Sequence, residues 1–141
     1  MTKILVTGGV GFIGSNLIKE LKNKDFEVVS LDNYSTGDEK NEIPGVTYIN
    51  DDIINIFKLD KDFDICFHLA AQSRVQPSFE DPEESLRVNV VGTSKVMDWA
   101  HKNKVKVVYA GSSSKHHDPS DSPYAMYKFL GEEVCKLYKK S

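Results

Sequence analysis

The chain has 141 residues, of which 40% are hydrophobic, and its formal net charge is −3. This length suits one compact domain covering residues 1–141, and the apolar fraction is ordinary for a globular protein. The slightly acidic balance argues against a nucleic-acid partner, because binding a phosphate backbone needs a basic face. Two cysteines without a CxxC pair, and no apolar run long enough to span a membrane, predict a cytoplasmic protein that does not bind membranes.

Short apolar runs alternate with helical segments along the chain, and capping residues mark where some of the helices begin. Strands are predicted at Lys3–Thr7, Glu27–Leu31, Val46–Asn50, Asp64–Ala70 and Val105–Ala110. Helices are predicted at Phe12–Asn23, Pro82–Asn103 and Pro123–Lys140. The polar segment between residues 33 and 45 is expected to be a mobile loop.

This alternation predicts an α/β fold, in which parallel strands are covered by helices on both faces. Right-handed crossovers then give a doubly wound, three-layer α/β/α arrangement of about five strands in the order 3-2-1-4-5. Ligands of such sheets bind beyond the carboxyl ends of the strands, so we expect the functional residues at that edge.

A glycine-rich turn separates the first predicted strand from the first predicted helix. Residues 8–14 read GGVGFIG, which satisfies both GxGxxG and GxxGxxG. Glycines in this pattern allow a tight turn, let backbone amides approach a pyrophosphate and let the helix pack closely on the strand. The amino end of the helix then meets the phosphates with free N–H groups and a positive dipole end. The turn therefore predicts a Rossmann-type dinucleotide site.

An acidic residue, Asp32, follows the second predicted strand at the expected separation of about 20 residues from the glycines. A carboxylate there accepts hydrogen bonds from both ribose hydroxyls and repels a 2′-phosphate, so the sequence favours NAD over NADP. No Gly-Lys-Ser or Gly-Lys-Thr follows the glycines, which argues against a P-loop nucleotide hydrolase. NAD is therefore the predicted cofactor.

Four further motifs follow in order: HLAAQ at 68–72, NVVGT at 89–93, three serines at 112–114 and Tyr-x-x-x-Lys at 124–128. With the glycine turn, they resemble the extended short-chain dehydrogenase/reductase family, in its branch of NAD-dependent nucleotide-sugar epimerases and dehydratases such as the UDP-glucose 4-epimerases. The resemblance covers nearly all of the chain. It implies hydride transfer to and from bound NAD, a nucleotide sugar (typically a UDP-sugar) as substrate, and a homodimer.

The resemblance also assigns a catalytic triad. Tyr124 and Lys128 are four residues apart on a predicted helix, so they share a face, and a nearby ammonium lowers a tyrosine pKa that starts near ~10. The resemblance makes Tyr124 the base that takes a proton from a sugar hydroxyl, and Lys128 the residue that binds the ribose and Tyr124. It makes Ser112, with Ser113 close behind, a hydrogen-bond donor to the substrate oxygen.

The resemblance implies cofactor contacts at the phosphate loop, around the adenosine, along the small residues after the fourth strand and near the nicotinamide. The implied residues are Gly8, Gly11, Phe12, Ile13, Gly14, Asp32, Asn33, Ser35, Asp52, Ile53, Leu69, Ala70, Ala71, Asn89, Tyr124 and Lys128. No metal site is expected, since His116 and His117 are adjacent and lack further spaced ligands.

The chain departs from the family pattern in three places. Residues 115–118 (KHHD) stand where an aromatic residue and a glycine usually follow the serines, and Tyr127 stands where a small hydroxyl residue is common. The third departure is in length, because the resemblance ends with the last predicted helix and the family's C-terminal substrate domain is expected to be absent. Two alternatives therefore stay open: a truncated or non-catalytic NAD-binding module, and a small NAD-dependent carbonyl reductase. The helices at about 82–103 and 123–140 are the expected dimer interface.

Overall fold

The computed structural model describes residues 1–35, 37–70, 80–109 and 123–139, without the side chains of residues 124, 125 and 139. The strands are β1 Lys3–Thr7, β2 Glu27–Asp32, β3 Thr47–Asn50, β4 Ile65–His68 and β5 Lys106–Tyr109. The α-helices are α1 Phe12–Asn23, α2 Pro82–Leu86, α3 Thr93–Asn103 and α4 Pro123–Lys139. A π-helical segment, Arg87–Gly92, joins α2 to α3, and 3-10 turns lie at Glu39–Asn41 and Ile53–Lys58.

The described strands form one parallel sheet in the order β3-β2-β1-β4-β5, which confirms the predicted order. The register aligns their carboxyl ends, because Thr7 of β1 pairs with Leu31 on one side and His68 on the other. Asp32 at the end of β2 pairs with Asn50 at the end of β3. The segments that follow these strands therefore meet at one edge of the sheet.

Both faces of β1 are buried, as its continuous apolar sequence predicts. Ile4 and Val6 pack in one core cluster with Ile18 of α1. Leu5, which points to the opposite face, packs in a second cluster with Trp99 of α3. Successive side chains of a strand alternate between faces, so this one strand anchors α1 on one side of the sheet and α3 on the other.

The predicted long helix between β4 and β5 is present as three helical segments that follow one another without a gap: α2, the π-helical segment and α3. It begins as the sequence indicates, because the Asp81 carboxylate accepts the N–H of Glu84 and Pro82 occupies the first turn. Gly92 ends the π-helical segment and faces the 3-10 turn closely, since a Cβ there would lie 2.8 Å from Ile53 Cγ2. The helical spacing of apolar residues in the sequence did not predict this π-helical segment.

The differences from the sequence prediction include the end of strand β4 and the structure of the segment between residues 33 and 45. Strand β4 ends at His68 rather than Ala70, because the Thr7 hydroxyl oxygen accepts the N–H groups of Leu69 and Ala70, at 2.9 and 3.0 Å. The segment predicted as a mobile loop contains the 3-10 turn Glu39–Asn41. None of the helices in the described ranges has the length and apolar character that crossing a membrane requires.

Candidate cofactor site and active site

The glycine turn brings three elements into direct backbone contact. Gly8 has a φ of +77°, a conformation that glycine adopts at little cost, and its N–H donates to the Leu31 carbonyl at 2.8 Å. A Cβ at Gly8 would lie 3.0 Å from the backbone nitrogen of Ala70, and one at Gly14 would collide with the Gly8 carbonyl oxygen. The absence of side chains at these two positions therefore lets α1 and the end of β4 close on the turn.

The amino end of α1 has backbone N–H groups without intrahelical partners. Its N-cap is Gly11 in an extended conformation, and within the described residues no side chain caps the helix and no acidic residue occupies its first turn. Phe12 and Ile13, in the first turn of the helix, are 83% and 68% exposed, so their side chains are not packed into a core beside this terminus. Free N–H groups and a positive dipole end make this terminus suitable for a pyrophosphate.

Asp32 lies next to this helix terminus, at the end of β2. One carboxylate oxygen accepts the N–H of Val10 at 3.1 Å, and the other accepts the N–H of Tyr34 at 2.8 Å. A carboxylate has about four acceptor positions, so these two bonds fix its orientation and leave capacity for two ribose hydroxyls. The residues present therefore fit the adenosine ribose of NAD.

The residues after Asp32 form a turn on the same edge. The Asn33 side-chain oxygen accepts the N–H of Ser35 at 3.0 Å, and both residues are exposed beside Asp32. The Tyr34 hydroxyl donates to Glu42 at 2.6 Å, and burial together with this carboxylate raises the pKa of Tyr34. Asn33 and Ser35 therefore lie where a ribose contact is possible.

Asp52 is held in a network that the sequence did not predict. One of its carboxylate oxygens accepts the N–H of Ile54 at 3.1 Å, and the other accepts Arg87 Nη1 at 2.6 Å. Arg87 also binds both carboxylate oxygens of Glu84, at 2.9 and 2.6 Å, and these bonds raise its pKa. Ile53 is buried directly beside Asp52. The spacing of Glu84 and Arg87 is a sequence signal for their pair, but nothing in the sequence links Arg87 to Asp52.

A buried polar network lies behind the end of β4. The Thr7 hydroxyl oxygen already accepts the two N–H groups that end this strand, so its own proton donates to His68 Nδ1 at 2.8 Å. His68 is therefore the Nε2–H tautomer, which donates to Thr93 Oγ1 at 2.9 Å. Burial, and secondarily Lys128, lower the pKa of His68 to about 3. The network fixes the position of Leu69 and Ala70.

Two buried polar residues lie in helical segments that contact each other, the π-helical segment and α4. Asn89, in the π-helical segment, is 1% exposed and donates to Ser85 Oγ at 3.2 Å. Lys128 is 6% exposed, and its Nζ lies 4.5 Å from the ring centroid of Tyr109, which in turn lies 5.6 Å from the ring of His68. Burial lowers the pKa of Lys128, against the opposing effects of Glu132 and Cys135. The lysine predicted as catalytic thus lies near the end of β4.

A family model described as the NAD dependent epimerase/dehydratase family matches residues 4–141. The chain belongs to this family. The predicted family and the predicted cofactor, NAD, are therefore confirmed at the level of the family. Its Rossmann-type fold is confirmed as well by the solved structures of its relatives.

The relatives act on nucleotide sugars, according to their names. A protein of Methanocaldococcus jannaschii with the provisional name UDP-glucose 4-epimerase is 35% identical over 97% of this chain and 51% of its own length. The structure of UDP-N-acetylglucosamine 4-epimerase from Methanobrevibacter ruminantium in complex with UDP-N-acetylmuramic acid superimposes with a TM-score of 0.91, at 30% identity over 99% of this chain and 51% of the other. UDP-glucose 4-epimerase of Thermus thermophilus in complex with NAD gives 0.87, at 29% identity and the same two coverages. The chain thus spans about half the length of these relatives.

The structure gathers most of the predicted site residues at one edge of the sheet. The glycine turn, Asp32, Leu69, Ala70 and Asn89 lie on this edge or in the segments that pack behind it. Tyr124 belongs to α4, one turn before Lys128, but its side chain lies outside the description. Ala71, Ser112, Ser113, His116 and His117 lie outside the described residues altogether. The arrangement of the Ser/Tyr/Lys triad therefore stays a prediction.

Proposed function

We propose that this chain binds NAD and forms the cofactor half of a nucleotide-sugar epimerase or dehydratase. The observation that carries the proposal is the Asp32 carboxylate, oriented by the N–H groups of Val10 and Tyr34 next to the uncapped amino end of α1. This arrangement places two hydroxyl-accepting oxygens beside a cluster of amides suited to phosphate. It matches the two recognition elements that a dinucleotide with an unmodified ribose presents.

In this proposal, different residues of the chain bind different parts of the cofactor. The amides at the start of α1 bind the pyrophosphate, Asp32 binds the ribose, and Asp52 with Ile53 lies at the adenine. Leu69 and Ala70 form the edge along which the cofactor extends toward Asn89 and Lys128. Bound NAD supplies the acceptor, and later the donor, of a hydride.

The proposed chemistry depends on a proton transfer in α4. Tyr124, as a phenolate, takes the proton of the sugar hydroxyl whose carbon is oxidised, and returns it when that carbon is reduced again. The ammonium of Lys128, one helical turn away, stabilises the phenolate. Ser112 donates a hydrogen bond to the same substrate oxygen. A UDP-sugar is the proposed substrate, since the relatives include structures with UDP-glucose and with UDP-N-acetylmuramic acid.

Calorimetric titration with NAD⁺ tests the cofactor site. We expect Asp32→Ala to weaken binding by roughly 10- to 100-fold, because hydrogen bonds to a charged group contribute about 1.5–3 kcal/mol. Asp32→Asn should narrow the preference for NAD⁺ over NADP⁺, because it removes the charge that repels a 2′-phosphate. Asp64→Ala is the matched control, since Asp64 also accepts a backbone N–H, from Lys3 at 2.8 Å, but at the opposite edge of the sheet. Equal affinity of wild type and Asp32→Ala would contradict the proposal.

Turnover of UDP-glucose tests the catalytic assignment. Tyr124→Phe should abolish epimerisation or dehydration without abolishing the binding of NAD⁺, and Tyr127→Phe, three residues further along α4, should retain the activity. Binding of NAD⁺ without turnover of any nucleotide sugar would instead indicate a non-catalytic cofactor module. Reduction of small carbonyl compounds without a response to nucleotide sugars would indicate the carbonyl reductase.

A homodimer is part of the proposal. Four apolar side chains of the π-helical segment and α4 are more than a third exposed, although Val96 and Trp99 of α3 face the core. The exposed residues are Val91, Phe129, Leu130 and Leu137. They favour an interface formed by these helices, because the two helical segments contact each other and exposed apolar surface is typically covered by a partner.

A further inference from the structure

Two donors of the segment after β2 bind the same backbone atom of the glycine turn, the carbonyl oxygen of Val10. The side-chain amide of Asn41 donates to this oxygen at 2.8 Å, and the backbone N–H of Asp38 donates to it at 3.2 Å. Asn41 and Val10 are 31 residues apart in sequence, and Val10 is fully buried. A carbonyl oxygen has two lone pairs, so these two donors occupy its full capacity.

The remaining polar groups around Val10 are also occupied. The Val10 N–H donates to Asp32, and the N–H of Gly11, in the same peptide unit as the Val10 carbonyl, donates to Gly8 at 3.2 Å. The orientation of the Val10–Gly11 peptide is therefore set by three contacts, of which Asn41 supplies the one from a side chain. This peptide lies immediately before the amides of α1.

Close packing, as well as hydrogen bonds, holds this segment against Val10. A Cβ at Gly37 would lie 2.8 Å from both the carbonyl carbon and the oxygen of Val10, so the segment passes this close only because residue 37 is glycine. The same segment carries the N–H of Tyr34 that orients Asp32. One side chain, Asn41, thus links the ribose side of the site to its phosphate side.

We propose that Asn41 is a positioning residue for the pyrophosphate of the cofactor, an inference that rests on the proposed binding of NAD. Its amide holds the Val10 carbonyl toward the segment 37–41 and away from the phosphates. Without this donor, only the N–H of Asp38 and the bond from Gly11 to Gly8 hold the Val10–Gly11 peptide, so it rotates more readily. A carbonyl oxygen turned toward the phosphates repels their negative charge. Asn41 acts through Val10, and its effect is expected on phosphate-containing ligands alone.

The test compares three ligands that share an adenosine: NAD⁺, ADP and adenosine. In Asn41→Ala, we expect affinities for NAD⁺ and ADP to fall by roughly tenfold, and that for adenosine to change by less than about twofold, because one hydrogen bond to a buried acceptor is lost. Asn41→Asp keeps the shape but replaces the donor with an anionic acceptor, so its loss for NAD⁺ and ADP should be larger. Asn103→Ala is the control, since Asn103 also donates to a backbone carbonyl at 2.8 Å, that of Trp99 at the end of α3.

NMR titration suits the weak adenosine complex, and the backbone ¹⁵N shift of Gly11 in ligand-free protein reports directly on the Val10 carbonyl. A changed Gly11 shift with a selective loss of NAD⁺ and ADP binding supports the inference. Equal losses of affinity for all three ligands, or no loss for any of them, overturn the inference about Asn41 but do not contradict the proposal that the wild-type chain binds NAD. A wild-type chain that binds no NAD⁺ overturns the proposed function, and this inference with it.

Discussion

At the scale of single residues, three buried polar side chains behind the carboxyl edge of the sheet are hydrogen-bonded to one another. Thr7, His68 and Thr93 form a continuous series of hydrogen bonds in which the donors and acceptors are matched. In a low-dielectric environment such a network is costly to disrupt, since each group left unpaired keeps its desolvation penalty. Its effect is to hold the end of β4 against the glycine turn.

His68 should make the protein acid-sensitive. Its pKa is about 3 in the folded protein and near ~6.5 when unfolded, so as the pH falls below about 6.5 only the unfolded chain gains this proton. The contribution to stability is therefore complete above that pH and is lost toward pH 3, by at most ~1.4 kcal/mol per pH unit. Urea unfolding at several pH values between 7 and 5 should show this slope in wild type and in Thr93→Ser, which keeps the hydroxyl. A His68→Gln variant with the same slope as wild type would refute the assignment.

Gly14 should not tolerate a side chain, whereas Gly11 in the same turn should tolerate one. A Cβ at Gly14 meets the backbone oxygen of Gly8, which cannot move aside, but a Cβ at Gly11 would lie 3.4 Å from that oxygen, an ordinary contact. We expect Gly14→Ala to lower the free energy of unfolding by about 1–3 kcal/mol and Gly11→Ala by less than ~1 kcal/mol. Chemical denaturation of the two variants measures the difference, and equal stabilities would show that α1 shifts to make room.

At the scale of elements, the π-helical segment sets how the long helix meets its neighbours. Gly92 lies against Ile53 of the 3-10 turn, and Gly131 of α4 approaches the Asn89 carbonyl so closely that a Cβ would lie 2.6 Å away. The extra residue of a π turn changes which side chains face inward, and such segments are frequent at functional sites. Here it directs Asn89 into the interior and Arg87 toward Asp52.

The Arg87 network should contribute modestly to the docking of this helix on the 3-10 turn. The three side chains are about one-third exposed, so solvent screens their attraction, and Arg87→Met should cost less than ~1 kcal/mol. The loss should shrink in 1 M salt, where surface charges are screened. Urea midpoints measure it against Lys136→Met, which removes an exposed pair with Glu133 and should have almost no effect. A salt-independent loss would instead point to packing of the arginine stem.

At the scale of the whole molecule, the two faces of the sheet are closed by different helices with different surfaces. The helix α1 completes one core cluster, while α3 packs in the other and also contacts α4, where the rings of His101 and Tyr138 are 5.9 Å apart. The outer surface of the π-helical segment and α4 keeps several exposed apolar side chains. Helix α4 therefore contributes both to this surface and to the proposed cofactor site.

The proposed homodimer predicts a specific response to charge on α4. Leu130→Glu should shift sedimentation equilibrium from dimer to monomer, because a carboxylate in an apolar interface is not compensated. Phe57→Glu is the control: Phe57 is 63% exposed in the 3-10 turn, away from α4, and its replacement should leave the assembly unchanged. A wild-type chain that sediments as a monomer at all concentrations would exclude this interface for the chain.

The sequence by itself determined those features that depend on neighbours along the chain. The glycine turn, the acid that ends β2 and the Asp81 cap are local patterns. The strand order followed from the alternation of strands and helices through the handedness of parallel crossovers. Residues close in sequence constrain each other by covalent geometry, which is why these predictions agree with the structure.

Tertiary structure alone decided which distant residues meet. The bonds from Asn41 to Val10, from Arg87 to Asp52 and between Thr7 and His68 join residues 31, 35 and 61 positions apart. The early end of β4 and the π-helical segment depend in the same way on contacts with other elements. These contacts result from how strands align and helices pack, and the spacing of these residues along the chain does not predict them. The sequence therefore predicted a cofactor site, and the fold decided how the residues of that predicted site are held.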